Sequence, residues 1–196
     1  KSITEMSADV RKQRAAIADV ERDVPLSMNL GLFTVNTSQL RKFLVERRQQ
    51  LSDAILTLIA NRIKASGEEL TQSFRDIDRS LNRGVPDIEA VAELEEYMHA
   101  LPGELDQLQQ GLQEMLAEQL VLEDFEFVTS EEDFKTLWQT MAWPQRVAKT
   151  ISLAAERCVE KREAYAAQQA TEQEAYAKTL DRLDAVVGKF GKHVDL

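Results

Sequence analysis

Two stretches of the chain, Ser38 to Asn82 and Gln145 to Val187, contain no proline and between them a single glycine, Gly67, while apolar residues recur every three or four positions. A proline-free run with that repeat is an amphipathic α-helix; a half-buried strand would show a period of two. At about 1.5 Å of rise per residue, each run extends on the order of 65 Å, more than a compact domain of this chain length needs. The predicted fold is therefore all-α: an elongated helical bundle framed by two very long helices, with short helices packed alongside. Seven glycines, four prolines and 6% aromatic residues suit a core built mainly of Leu, Ile, Ala and Val.

Between and around the long runs the pattern changes. Ser2 to Glu21 reads as a helix stopped by Asp23-Val24-Pro25. Leu26 to Val35 is a partly extended apolar segment, expected to tuck across the helices as a connector with anchors. Asn36 followed by Gln39 resembles a capping box and starts the first long helix, which also accounts for the glycosylation-like Asn36-Thr37-Ser38. Arg83-Gly84-Val85-Pro86 ends it. A helix from Asp87 is expected to stop near Ala100, with Pro102 in the first turn of the next. Thr129 and Glu132 suggest a further capped helix carrying Phe134, Leu137 and Trp138, and Pro144 opens the last helix. Its apolar stripe lapses at Gln169 and Glu172, so a joint or exit point is expected between Tyr165 and Tyr176. The organisation is one helical segment, residues 1–196: a helix plus connector over 1–37, a long helix over 38–82, short acidic helices over 86–142 and a long helix over 144–192. Because the sequence opens at Lys1 and its last helix runs almost to the end, it is expected to be a piece of a longer polypeptide.

The net charge of −10 is unevenly placed: Pro86 to Asp133 holds fifteen Asp or Glu residues and no Lys or Arg, leaving the remainder about five positive. The first half of the Ser38 helix is basic, with Arg41, Lys42, Arg47, Arg48, Arg62 and Lys64 against Glu46 and Asp53. Acidic helices packing beside a basic one explain this pattern; an acidic docking face is the other reading. Either way an acidic surface repels phosphate backbones and anionic lipid, so neither nucleic acid nor membrane is expected as a partner.

The residue types that carry chemistry lack the required spacing. Gly191-Lys192 has no upstream glycine and no following hydroxyl residue, so it cannot form a phosphate loop. His99 and His193 each lack a second ligand one helical turn away. The carboxylates Glu93, Glu95 and Glu96, and Glu131, Glu132 and Asp133, read as solvated helix faces, because acid–base work needs burial and a positioned partner. The single cysteine, Cys158, lies on the apolar stripe of the last helix and reads as a small buried hydrophobe. No catalytic, cofactor-binding or metal residues are assigned, and no cofactor is expected. The aromatic residues Phe33, Phe125, Phe127, Trp138 and Trp143 are expected to form one hydrophobic corner that docks the short helices on the long ones.

Leu30-Gly31-Leu32-Phe33-Thr34-Val35-Asn36 leading into a basic helix, then Ile88 to Tyr97 before Leu101-Pro102, then Phe134, Trp138 and the Trp143-Pro144 turn, resemble in their order the tail, or stem, of axonemal dynein heavy chains, with the inner-arm type favoured. The resemblance covers the chain from about Leu30 onward, and Leu183 to Phe190 is similar to the approach to the neck. It implies a non-catalytic segment of a microtubule motor of the ciliary or flagellar axoneme, within the cytoskeleton of the cytoplasm. It also implies that the ATP sites lie elsewhere, in an AAA+ ring, and the microtubule contact at a stalk tip. The implied partners are the rest of the heavy chain and dynein light or intermediate chains, without direct microtubule binding by this segment. An acidic coiled-coil scaffold or an adaptor module that captures a partner helix is the competing reading. Small-angle X-ray scattering separates them: the stem reading expects a monomer whose radius of gyration lies well above the roughly 16 Å of a compact globule of this length.

Overall fold

In a computed structural model the described residues are 2–191. Five α-helices and one β-hairpin follow in the order α1 (Ile3–Asp23), β1 (Ser27–Leu30), β2 (Phe33–Asn36), α2 (Ser38–Leu81), α3 (Ile88–Asp124), α4 (Glu131–Met141) and α5 (Trp143–Gly191). The nearly all-α expectation holds, and the two long helices fall where the sequence places them. Each is unbroken: α2 runs through Gly67, and α5 runs through Gln169 and Glu172 without a joint. The Phe190 side chain, Lys192 and His193 lie outside what is described.

Local chemistry sets the helix ends. The Ser2 side chain accepts from the Glu5 amide while the Glu5 carboxylate accepts from the Ser2 amide, a capping box that satisfies two amides otherwise unpaired at the start of α1. At α2 the Asn36 side-chain oxygen accepts from the Ser38 amide at 2.9 Å. The cap of α4 is Ser130, one residue past the expected Thr129; its hydroxyl accepts from the Asp133 amide at 3.1 Å and donates to the Asp133 carboxylate at 2.6 Å.

Two expectations are corrected. The short helices expected on either side of Pro102 are a single 37-residue helix, α3, with Pro102 inside it. Proline in a helix interior costs about 3 kcal/mol through its missing amide and its ring. Apolar residues buried on both sides of it, Leu94 and Leu101 before and Leu112, Met115 and Leu122 after, offset that cost. The segment expected to tuck across the helices is instead an antiparallel hairpin whose eight strand residues are all exposed. Gly31, with φ of +66°, stands first in its two-residue turn, where a II′ hairpin requires a residue tolerant of positive φ.

Among the described residues the chain divides into two compact units, residues 2–74 with 106–143 and residues 75–105 with 144–191. The first has its core at Met6, Val10, Leu56, Ile59, Ile63, Phe74, Leu112, Met115, Leu122 and Phe125. Phe125 is enclosed by cationic side chains: the guanidinium carbons of Arg14 and Arg11 lie 5.0 and 6.0 Å from its ring centre, and Arg14 also donates to the Phe125 carbonyl at 2.8 Å. Trp143 stacks parallel on Phe74 with ring centres 6.4 Å apart. Buried Gly67 has ordinary contacts awaiting a methyl group, with Met115 sulfur at 3.5 Å, so nothing in the packing demands a glycine there.

The second unit is centred on Ile77, Leu81, Val85, Val91, Leu94, Leu101, Val147, Ala154 and Cys158. Polar bonds from α5 fix its register: Thr150 donates to Asp78 at 2.8 Å, Arg157 donates to the Leu81 carbonyl, and Tyr165 donates to the Val85 carbonyl at 2.9 Å. The Arg157 bond places a cation on the carbonyl end of α2, where the helix dipole favours positive charge.

The single aromatic corner is also corrected. Phe125 is buried and Phe127 and Trp143 are half-buried, but Phe33 is 75% exposed and Trp138 62% exposed. In urea denaturation, Phe74→Ala is expected to cost about 3 to 5 kcal/mol, the usual loss for a truncated core aromatic, while Trp138→Ala is expected to cost under about 1 kcal/mol.

Candidate docking surface

The groups that carry chemistry sit apart or are tied into structure. No set of three or more potential metal ligands converges among the described residues, and no helix is long and apolar enough to cross a membrane. Glu93 pairs with Arg83 at 3.2 Å and Glu95 with Arg162. The Asp133 carboxyl is held below its usual range by the hydrogen bond from Ser130 and by Lys64, 3.2 Å away, which favours the charged form rather than a proton donor. A pocket lined by Ile63, Gly67, Met115 and Leu137 has a volume of about 30 Å³, room for a single water, and the wider hollow of about 470 Å³ beside Ile88, Arg162, Tyr165 and Gln169 is an open surface groove.

Part of the acidic block pairs within the chain, as the packing reading expected. Within the first unit, Arg62 holds Glu118 in a forked pair, Nε to Oε2 at 3.0 Å, with the carboxylate side chain only 14% exposed.

What the chain does present is apolar surface. Pairing in the hairpin is Ser27 with Asn36, Met28 with Val35, Asn29 with Thr34 and Leu30 with Phe33. Side chains alternate along a strand and cross-strand partners share a face, so Met28, Leu30, Phe33 and Val35 occupy one face and Ser27, Asn29, Thr34 and Asn36 the other. On the polar face Thr34 donates to Asn29 at 2.8 Å. On the apolar face every side chain is exposed, and Leu32 at the turn is 99% exposed. The base of the hairpin is tied to the start of α2, where the Thr37 amide donates to the Leu26 carbonyl at 3.0 Å and the Thr37 hydroxyl to Pro25. Leu40 and Phe43 in the first turns of α2 are exposed as well. Two smaller apolar sets accompany this one. Phe134 and Trp138, in edge contact with ring centres 6.1 Å apart, are exposed on α4. On α5 every described residue from Ala166 to Lys189 is exposed, including Tyr176, Leu180, Leu183 and Val187 at helical spacing.

No family model matches the chain. Dynein axonemal heavy chain 1 of Homo sapiens is 27% identical over 177 residues, that of Mus musculus 24% over 177 residues, and that of Rattus norvegicus 20% over 217 residues; each alignment covers 90% of this chain. The similarity supports a dynein heavy chain segment. The chain spans only 4 to 5% of the length of these relatives. The Leu30 to Asn36 motif that carries the resemblance falls on the end of β1, the hairpin turn and β2, and Trp143-Pro144 falls on the first two residues of α5.

Cys158 is the lone thiol, buried in the second unit. Burial first, and then the charge of Glu95, pushes its pKa up, so it stays protonated at neutral pH. Labelling of the folded chain with a thiol-specific chromogenic disulfide at pH 7.4 is therefore expected to be at least about a hundredfold slower than in urea; equal rates would mean the site is open.

Proposed function

We propose that this chain is a non-catalytic structural segment of the tail, or stem, of an axonemal dynein heavy chain of the inner-arm type. It connects the motor domain to the cargo-anchoring tail in ciliary and flagellar motility, and works in the axonemal cytoskeleton. The observation that carries this reading is the similarity to dynein axonemal heavy chain 1 along 90% of the chain, joined to an architecture of three helices of 44, 37 and 49 residues. Continuous hydrogen-bonded turns resist extension and bending, which suits an element that carries load rather than one that turns over substrate. On this reading the segment holds no nucleotide, metal or cofactor of its own. Its partners are the rest of the heavy chain and light or intermediate chains, and the microtubule is gripped elsewhere. The exposed apolar hairpin favours an adaptor role within that tail, a surface on which another subunit rests.

The reading is tested by removing the stretch corresponding to residues 2–191 from the full-length heavy chain and purifying the motor. ATP turnover is expected to remain within about twofold of the intact motor while its attachment to axonemes is lost. Loss of ATP turnover with attachment retained would place the segment in the motor instead and overturn the proposal.

A further inference from the structure

We infer that the apolar face of the β1–β2 hairpin, continued by the exposed first turns of α2, is a docking surface for an amphipathic helix with an acidic flank. This inference stands on the surface itself and does not require the stem reading.

A two-stranded hairpin is at best marginally stable alone in water and normally rests its apolar side on something. Here the four residues of that side, Met28, Leu30, Phe33 and Val35, are exposed together, and nothing charged occurs from Val24 to Leu40. A contiguous apolar patch of this kind marks an interaction site rather than ordinary surface.

The charge beside it selects the occupant. The α2 side of the patch carries Arg41, Lys42, Arg47 and Arg48 against one acid, Glu46, which pairs with Lys42 at 3.7 Å. The first turn of α2 contains no acidic residue, so the positive end of its dipole adds to the same field uncompensated. On the α1 side the charge is reversed: Asp19 and Asp23 share the single Arg22, at 2.8 and 2.9 Å, and Glu21 stands beside them. The field over the patch therefore rises toward α2, and a helix lying on the apolar face gains most when its carboxylates line that side. A membrane surface fits less well: an extended anionic bilayer would meet the Asp19, Glu21 and Asp23 side as well as the basic side, whereas a helix can turn its carboxylates to the basic side alone. A second copy of the chain meeting this face with its own hairpin face would set one basic rim against another.

The test places benzoylphenylalanine at Leu32, whose near-complete exposure leaves the fold undisturbed, in the full-length protein in its own cells, with the same group at Gln173 as a reference. After irradiation the adduct is mapped by mass spectrometry. The expected adduct is an amphipathic helical segment in which Asp and Glu outnumber Lys and Arg. Arg41→Glu combined with Arg47→Glu is expected to lower its yield about tenfold, with the helical circular dichroism of the isolated chain unchanged. An adduct to a second copy of this chain, to lipid, or to a neutral or basic segment overturns the inference. So does a yield at Leu32 no higher than at Gln173, or one indifferent to the double charge reversal.

Discussion

A 44-residue helix is not held by its own hydrogen bonds; in water most helical stability comes from burying one face. The buried stripe of α2 is therefore the constraint on which the remaining elements depend. Leu56, Ile59, Ile63 and Phe74 supply core to one unit, and Ile77 and Leu81 supply core to the other. Burial of a large aliphatic or aromatic side chain contributes about 1.5 to 3 kcal/mol, so six such positions outweigh any polar contact in the chain. The upstream end of the same helix buries little: Leu40, Phe43 and Leu51 remain exposed.

Electrostatics refines this frame rather than building it. Exposed ion pairs contribute about 0 to 1 kcal/mol each, and most pairs here are of that kind. Arg62 with Glu118 differs because both groups are partly desolvated and the geometry is forked. It ties the basic stretch of α2 to the acidic stretch of α3 at one defined register, a matter of specificity more than of net stability. Arg157 acts differently, answering one of the carbonyls that α2 leaves unpaired at its end.

The elements most legible in the sequence are those whose signal accumulates over many residues. Periodicity sustained along α2, and along α5 on both sides of its lapse at Gln169 and Glu172, leaves little ambiguity about either helix, and Cys158 on the stripe of α5 is buried as its spacing implies. The hairpin was harder to read because each strand is four residues long, and because Gly31-Leu32 is a weaker turn signal than Asn-Gly. The alternation Ser27-Met28-Asn29-Leu30 and Phe33-Thr34-Val35-Asn36 was present, but a run rich in Leu, Phe and Val invites the assumption of burial. Pro102 misled for the opposite reason: local propensity argues for a break, and burial on both sides of it prevails. Thr129 and Ser130 are adjacent hydroxyls, each with an acid three residues on, Glu132 and Asp133, so the sequence offers two registers for the cap one residue apart. The aromatic corner failed because side-chain size says nothing about which face of a helix Trp138 occupies.

The period-two geometry of the hairpin has a consequence for how the chain tolerates change in length. Surface turns are ordinarily where insertions are absorbed at little cost. Here β2 is held in place by its junction with α2, so one extra residue at Gly31-Leu32 would slip β1 by one position against it. Met28 and Leu30 would then move to the side now occupied by Asn29 and Thr34, and the apolar face would be split between the two sides of the ribbon. This fully exposed turn is thus unforgiving of an inserted residue, while remaining permissive toward the identity of the side chain that Leu32 displays.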